Sequence, residues 1–378
     1  MIQSMFKQKD LSLFYLSVII RRVGLSLMSV FIPLYLYKIG YSLVSILFFF
    51  SLISVFFLIF SYWGAKIVAS LGEKYGILIA SFFTVITYLS MNTMVSAPLL
   101  FFITPLFIAL DLILYNLSYH LLFIEKTDDE KRGREIATLG ILTILAGIIA
   151  PYFGGILADT NFHMLFGVSA ILLFLSTLPI FFIPYQKTEV RFSLKGLFHY
   201  IFAKKHRNLF LSFSAYGIEH IIGFVIWPLF IFLILGTMKK IGIAVSLSTG
   251  LSFLVYYLIG KATDTYDKKK LIRWGSVLYS ITWFLRLWVK NMKGIVFVDS
   301  LKGVTEKILQ VPWNTYTYEI AKKKNTFEFI LARENIFHIS RIFIFLILIP
   351  IFYFDFYPFQ ISILIASLAS LGYRFIQK

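Results

Sequence analysis

Apolar segments long enough to cross a membrane recur along the whole chain, and only short polar breaks separate them. A helix needs about 20 apolar residues to cross the hydrocarbon core of a bilayer. Because 59% of the residues are hydrophobic and only 15% are charged, most of the chain must lie in lipid. We count twelve such segments, at 12–37, 42–63, 76–95, 98–123, 136–158, 164–184, 209–236, 241–259, 271–290, 294–319, 329–353 and 358–375. The sequence therefore predicts an all-α polytopic membrane protein with twelve transmembrane helices.

The basic residues fall mainly on one side of these segments. The net charge is +17, and we assign 25 of the 36 Lys and Arg residues to the side on which the N-terminus lies. Cytoplasmic loops of membrane proteins carry such an excess of Lys and Arg. We therefore expect a multi-pass protein of the plasma membrane with both termini in the cytoplasm. The basic clusters are expected to set this topology and to attract anionic lipids of the bilayer rather than to bind nucleic acid.

Related sequence patterns occur in the two parts of the chain. PLYLY begins at Pro33 and PLFIF begins at Pro228, a shift of 195 residues. An Arg-Glu pair also precedes a proline at the same interval in both parts: Arg134 with Pro151, and Arg333 with Pro350. Because these matches keep their order and fall in corresponding segments, they predict a duplication of six plus six spans.

The duplication divides the chain into two six-helix bundles, residues 1–184 and 209–378. Six spans return the chain to the side from which it started, so the bundles are parallel repeats related by a pseudo-two-fold axis along the membrane normal. Residues 185–208 form a cytoplasmic linker between them. Its apolar residues follow helical spacing, which predicts an amphipathic helix at the membrane surface: Leu194, Leu197, Phe198 and Ile201.

Two polar loops occupy equivalent places in the bundles, AKIVASLGEK in the first and GKATDTYDKK in the second. With its two sets of six spans, the chain resembles the major facilitator superfamily over essentially its whole length. Both loops are similar to the superfamily's G-x-x-x-D-R-x-G-R-R motif, and the resemblance implies that they help to gate transport. In the first loop Gly72 and Lys74 match, while Ala65 and Ala69 replace the glycine and the aspartate. The second loop matches at four positions: Gly260, Asp264, Lys268 and Lys269.

The fifth segment carries AGIIAPYFGG, which is similar to the superfamily's G-x-x-x-G-P-x-x-G-G signature. Pro151, Gly154 and Gly155 match, and Ala146 and Ala150 replace two glycines. In the superfamily this signature is associated with antiporters, so the resemblance implies an efflux antiporter. Small residues at this spacing also allow helices to pack closely whatever the direction of transport, and this alternative stays open.

Charged residues lie within the predicted spans, although a charge near the bilayer centre costs roughly 3 kcal/mol on insertion scales. There are ten: Arg21, Arg22, Asp111, Glu219, Arg286, Asp299, Lys302, Glu306, Lys307 and Arg341. In the superfamily the first, fourth, seventh and tenth spans line a central cavity, and eight of the ten residues lie on those spans. The resemblance therefore implies a secondary transporter that moves a small organic solute by alternating access between the two bundles.

The candidate substrate-binding residues are Arg21, Arg22, Trp227, His220, Lys302, Trp313 and Asn314. One of the two adjacent arginines is expected to pair with Asp111 in the empty protein and to bind an acidic group of the solute. Six of the ten intramembrane charges are basic, which favours an anionic or zwitterionic solute. A purely structural alternative stays open, in which Lys302 is neutralised by Asp299 or Glu306 on its own helix.

Proton coupling needs a buried carboxylate that can change its protonation state. The candidates are Asp111, Glu219 and Glu306. We place Asp111 first, because it stands alone among apolar residues of its span.

No catalytic cluster, dinucleotide fingerprint or P-loop occurs in the sequence, and the six histidines lack metal-ligand spacing. The chain has no cysteine, which excludes disulfides and thiolate chemistry. We therefore expect a monomeric protein that is not an enzyme and that uses neither a cofactor nor a metal. An organic-anion importer or uniporter is the alternative within transport. A non-transporting sensor or scaffold and a membrane-embedded enzyme are the alternatives from other classes.

Overall fold

The computed structural model of the protein describes residues 9–126, 132–184, 192–263 and 267–377. Every regular element in these ranges is a helix. Nine of the helices in them are long and apolar enough to cross a membrane by length and composition. Helices suit the apolar runs because a helix satisfies its backbone hydrogen bonds internally, as lipid requires.

Six spans, α1 to α6, form the first half. Their bounds are Lys9–Met28, Ser29–Phe31 and Ile32–Lys38 for α1, Leu43–Leu71 for α2, Glu73–Thr93 for α3, Leu100–Lys126 for α4, Arg132–Thr160 for α5, and Phe162–Leu175 with Leu178–Phe181 for α6. Gly72 is the single residue between α2 and α3, and its φ of +83° is readily adopted by glycine. The chain therefore reverses at this point without strain.

Six further spans, α7 to α12, form the second half. Their bounds are Arg207–Ile221, a π-helical turn Ile222–Ile226 and Trp227–Leu235 for α7, Met238–Thr263 for α8, Lys268–Leu285 with Arg286–Trp288 for α9, Met292–Lys322 for α10, Thr326–Tyr353 for α11, and Pro358–Ser370 with Leu371–Gln377 for α12. Each of the twelve predicted segments is thus a helix, which confirms the all-α fold. The spans α8, α9 and α10 are not among these nine apolar helices.

The helix packing repeats from one half to the other. In the first half α1 packs on α5 and α6, α4 packs on α2 and α3, and α3 packs on α6. The equivalent pairs all occur in the second half: α7 packs on α11 and α12, α10 packs on α8 and α9, and α9 packs on α12. The main contacts between the halves, α2 with α11 and α5 with α8, are also equivalent to each other. The packing therefore has the predicted pseudo-two-fold symmetry.

Short connections make successive spans antiparallel. The odd-numbered spans therefore begin at one face of the molecule and end at the other. We call the face at which α1 begins the N-terminal face, and the other one the opposite face.

A linker helix, Leu194–Phe202, separates the two halves in sequence, as the apolar spacing predicts. Its four apolar residues do not share one environment. Leu197 and Ile201 are buried, whereas Leu194 and Phe198 are exposed. One apolar side of the helix is therefore packed on the protein, and the other is exposed.

Polar contacts attach the linker helix to the beginning of α11. The backbone N–H of Ser193 donates to Glu328 Oε1 over 2.9 Å, and Lys324 Nζ donates to His206 Nε2 over 3.1 Å. Partial burial, followed by the charge of Lys205, lowers the pKa of Lys324 from its ordinary value. The Ser193 bond joins the linker helix to α11, and the Lys324 bond joins the short turn Lys204–His206 to the segment before α11.

Candidate functional site

An ion pair joins α1 to α4 inside the first half. Arg21 Nη2 donates to both carboxylate oxygens of Asp111, over 2.7 and 3.0 Å. The guanidinium of Arg21 also lies 3.7 Å from the centre of the Tyr115 ring, and its Nη1 reaches Thr84 Oγ1 on α3. Both partners are buried. Of the two adjacent arginines, it is therefore Arg21 that pairs with Asp111.

Arg22 has quite different surroundings from its neighbour. Its side chain is exposed at the middle of α1, and within the described residues no hydrogen bond or ion pair holds it. Its charge acts on Tyr119 of the first half, and on His220 and Lys307 of the second. Arg22 therefore faces the space between the two halves.

The charged residues of α10 divide into two groups. Lys302 Nζ lies 3.0 Å from Glu306 Oε2, and Lys307 Nζ lies 4.0 Å from Glu306 Oε1. Asp299 instead pairs with Arg286 of α9 over 2.6 Å. Of the two pairings considered for Lys302 on its own helix, only the one with Glu306 forms.

The Arg286–Asp299 pair belongs to the packed interior of the second half. Arg286 is 1% exposed, and its guanidinium lies 4.1 Å from the ring centre of Trp227 and 4.0 Å from that of Trp283. Trp227 Nε1 donates to Asp299 Oδ2 over 3.1 Å. Trp227 thus completes a structural cluster in this conformation.

Glu219 is enclosed by donors from two other helices. The hydroxyls of Tyr279 and Tyr373 donate to its two oxygens over 2.6 and 3.1 Å, and Trp283 Nε1 donates over 3.2 Å. These three hydrogen bonds tie α7 to α9 and α12. The π-helical turn Ile222–Ile226 follows directly, so α7 departs from regular α-helix just beyond this attachment.

His220, the next residue, lies within electrostatic range of charges from both halves. Its ring stacks between Tyr216 and Phe224 along α7. The charges that act on it come from three other helices: Arg22 on α1, Lys302 and Glu306 on α10, and Arg341 on α11. We call His220, these four residues and Lys307 the central cluster.

The remaining predicted binding residues lie on α10. Trp313 is 1% exposed and donates from Nε1 to Ser212 Oγ over 2.9 Å, so it packs inside the second half. Asn314 is half-buried. The structure therefore brings Arg22 and Lys302 within electrostatic range of His220, while Trp227 and Trp313 donate hydrogen bonds within the second half.

Polar side chains join the halves near the N-terminal face. Among them are Asn116 Nδ2 with Glu334 Oε2 at 3.1 Å, Ser61 Oγ with Asn335 Oδ1 at 2.9 Å, and His120 Nδ1 with the Tyr318 hydroxyl at 2.7 Å. Of these residues, the sequence singles out Glu334, in the Arg-Glu pair that precedes Pro350, and none of the others. A single Ser, Asn or His within an apolar run was the only signal, and it does not reveal a partner on another helix.

Contacts also join the halves at the opposite face. Asp159, at the end of α5, accepts hydrogen bonds from the backbone N–H groups of Met238 and Lys239 over 2.9 and 2.8 Å. It therefore caps the first turn of α8, which belongs to the other half. The rings of Tyr37 and Phe232 lie 5.9 Å apart nearby. The halves thus touch at both faces.

The small residues of the α5 signature sit where helices approach closely. A Cβ on Gly154 would overlap the Leu27 carbonyl oxygen of α1. A Cβ on Gly155 would overlap the backbone of α8 at Met238. Pro151 lies at the same contact, because its carbonyl oxygen is next to Gly242 of α8. The signature therefore supports packing within the first half and between the halves.

The loop motifs make local contacts. Lys74 Nζ donates to the carbonyl oxygens of Phe181 and Ile183 over 2.7 and 2.8 Å, which caps the end of α6. In the second half Lys268 pairs with Glu319 over 2.6 Å. The remaining positions are Gly72 at the turn described above, Gly260 within α8, Lys269 in the first turn of α9, and Asp264, which lies outside the described residues.

In the ranges that the structure describes, no group of three or more His, Cys, Asp or Glu side chains could hold a metal ion. The candidate site is thus a cluster of charged and aromatic side chains at the middle of the spans. Together with two pseudo-symmetric halves, it defines a polytopic all-α membrane protein with a polar centre.

Comparisons with known proteins agree with this description. No family model matches the sequence. The uncharacterized protein YqgE of Bacillus subtilis is 23% identical over 243 residues, and the match covers 60% of this chain and 56% of YqgE. The chain thus matches little more than half the length of this relative.

Three solved transporter structures superpose on nearly the whole chain. The Escherichia coli fucose:proton symporter FucP has a TM-score of 0.69 at 12% identity, with 97% of each chain covered. The nucleoside transporter NupG has a TM-score of 0.68 at 17% identity. The human organic anion transporter MFSD10 has a TM-score of 0.70 at 11% identity. Each of these two matches covers 98% of this chain and 99% of the other. The fold of the chain is that of the major facilitator superfamily.

Proposed function

We propose that the protein is a secondary transporter that moves a small anionic or zwitterionic organic solute across the plasma membrane by alternating access. The observation that carries the proposal is the central cluster, to which α1 of one half and α7, α10 and α11 of the other contribute. Charged side chains within a membrane mark solute and ion pathways. A site that needs both halves can be exposed to either side by rocking one half against the other.

We place the N-terminal face in the cytoplasm, because most Lys and Arg residues lie on that side. With this orientation, the basic residues at the N-terminal face contact the inner leaflet of the membrane. The exposed Leu194 and Phe198 of the linker helix contact it as well. The protein is expected to work as a monomer, since its site is completed within one chain.

Proton coupling is the second part of the proposal. Asp111 is our first candidate for the proton-carrying group, with Glu219 and Glu306 as alternatives. Because Asp111 binds Arg21 over 2.7 Å, coupling through it requires that this pair separates during the cycle. The α5 signature favours exchange of solute for protons and efflux. An organic-anion importer or uniporter is the second candidate function, which the likeness to a fucose:proton symporter and an organic anion transporter favours.

The test is a pH-gradient assay in proteoliposomes with an entrapped pH dye. The panel comprises organic anions, zwitterions and cationic drugs, with the natural chain, Asp111→Asn and a matched control, Asp355→Asn. Asp355 is exposed between α11 and α12, and Asn tolerates its φ of 50°. We expect solute-dependent proton flux that Asp111→Asn abolishes and Asp355→Asn preserves. Flux that survives Asp111→Asn would move the carrier elsewhere, and absence of flux for every solute would contradict coupled transport.

A further inference from the structure

The central cluster has more positive than negative charge. Among the described side chains it contains four cations, Arg22, Lys302, Lys307 and Arg341, and one carboxylate, Glu306; the adjacent carboxylate of Glu219 also acts on Lys302. Glu306 lies within ion-pair distance of Lys302 and Lys307 but of neither arginine. Uncompensated charges at this depth are costly, so the cluster is incomplete without an anion. With Glu219 counted, the excess is two positive charges, so a monoanion would leave one and a dianion would leave none.

Arg341 is a cation whose hydrogen-bonding capacity is only partly used. Its Nη1 lies 3.2 Å from His338 Nε2, and its Nε is buried with no hydrogen-bond partner among the described residues. A guanidinium can only donate, so Nε2 of His338 must be the acceptor. Arg341 therefore holds His338 in the tautomer that carries its proton on Nδ1.

That proton points toward the other half of the molecule. His338 Nδ1 lies 3.1 Å from Ser54 Oγ on α2, and the His338 ring stacks on Phe57 of α2 at 3.7 Å and 9°. All three side chains are buried. The contact of α11 with α2 thus depends on the orientation of His338, and Arg341 sets this orientation from within the central cluster.

We propose that the central cluster binds an organic dianion and that Arg341 is one of its ligands. This inference rests on the proposed function and names the class of solute. When the dianion arrives, the Arg341 guanidinium turns from His338 to an anionic oxygen, while Arg22 of the first half binds the other charged group. Arginine suits both contacts, because its fork matches carboxylate and phosphate oxygens.

Binding then changes the contact between the halves. With Arg341 engaged elsewhere, the buried Nε2 of His338 has no partner, which is costly for a group shielded from water. The ring regains a partner by leaving its stack on Phe57, and α11 separates from α2. Arg341 is thus both a ligand and a sensor of occupancy, and His338 with Ser54 is the positioning element that responds.

Because the chain has no cysteine, the separation of α11 from α2 can be measured with a pair of introduced cysteines. Ser61→Cys together with Asn335→Cys places a thiol pair where α2 and α11 are hydrogen-bonded. The rate of disulfide formation then reports how close these helices are. The probes are succinate and glycerol 3-phosphate as a dicarboxylate and a phosphomonoester, butyrate as a monoanion with as many carbons as succinate, and uridine as a neutral solute.

We expect at least one dianion to slow disulfide formation, and butyrate and uridine to have little effect. Which dianion acts separates a dicarboxylate from a phosphate solute. Arg341→Gln should raise the half-saturating concentration at least about tenfold, since it removes a charged hydrogen bond. Arg273→Gln, at an exposed position on α9, is the control and should not change it.

The positioning role of His338 has its own readout. His338→Phe keeps a ring against Phe57 but has no nitrogen, so its disulfide formation should no longer depend on the dianion. Ser340→Ala on the same helix should keep the response, because Ser340 Oγ bonds only its own helix at Phe337. An unchanged response in His338→Phe would overturn the positioning role. If butyrate or uridine slowed disulfide formation as much as the dianions do, the proposal that the cluster binds a dianion would be overturned. If no probe acts and no solute drives flux in proteoliposomes, the proposed function itself fails.

Discussion

Arg21 and Arg22 show how two adjacent residues of one type take different roles. Side chains of neighbouring residues on a helix point about 100° apart. Arg21 points into the first half, where Asp111 neutralises it over 2.7 Å. Arg22 is exposed and lies within electrostatic range of Lys307 and His220. The pair therefore supplies one buried cation that Asp111 neutralises and one exposed cation that no ion pair holds among the described residues.

The ion pair of Arg286 with Asp299 leads to a prediction about the stability of the protein. Arg286→Gln leaves the half-buried Asp299 carboxylate without its cation and removes two ring contacts. We expect the free energy of unfolding to fall by roughly 3 kcal/mol, seen as a lower thermal midpoint in detergent. Adding Asp299→Asn should recover part of the loss, and Arg273→Gln is the matched exposed control. Equal midpoints for the natural chain and Arg286→Gln would contradict this account of the pair.

The charges of the site were recognisable in the sequence, but most of their partners were not. An intramembrane charge is visible because it interrupts an apolar run. Its partner depends on how neighbouring helices are rotated and shifted against each other. Asp299 is three residues from Lys302, yet it binds Arg286 on α9 because the two helices bring them within 2.6 Å. His338 and Arg341 could be placed on one helix face, but Ser54 on α2 could not be linked to them.

Helix contacts in this protein depend on glycine at the points of closest approach. Gly154 of α5 lies against the α1 backbone at Leu27, and Gly155 lies against α8. Without a side chain, glycine lets backbones approach and gain van der Waals contact, which lipid-embedded helices need in place of a hydrophobic driving force. The same stretch therefore connects α5 to its own half and to the other.

Gly154→Ala and Gly167→Ala form a matched test of this packing. The added Cβ of Gly154→Ala would overlap the Leu27 carbonyl oxygen, whereas at Gly167 on α6 nothing lies within 4 Å. We expect a lower thermal midpoint for Gly154→Ala. Gly167→Ala should leave the midpoint unchanged or raise it slightly, because alanine favours helix by up to about 1 kcal/mol. The same midpoint for both variants would contradict the close approach.

Element boundaries were predictable within a few residues except at the end of α2. The apolar run predicts an end at residue 63, whereas the helix continues to Leu71. Gly64, Ala65 and Val68 are buried in these last turns, so packing extends the helix past the point where its hydropathy falls. The linker helix was predictable from its spacing, but the division of its apolar residues between protein and surroundings depended on the position of α11.

At the scale of the whole molecule, the two halves are joined in different ways at the two faces. Near the N-terminal face the contacts are between side chains, such as Ser61 with Asn335 at 2.9 Å. At the opposite face Asp159 caps the start of α8 through backbone N–H groups. Hydrogen bonds of this kind are weak enough individually to be exchanged during a transport cycle. The duplication was evident in the sequence, but the residues that join the halves were not.

Distances between the halves at both faces, measured together, test alternating access most directly. Spin labels would be attached to Ser61→Cys with Asn335→Cys near the N-terminal face, and in a second sample to Tyr37→Cys with Phe232→Cys at the opposite face. Electron resonance distances would be recorded in proteoliposomes with and without solute at several pH values. The account predicts that the distance lengthens at one face while it stays short at the other. Distances that never change, or that lengthen at both faces together, would contradict it.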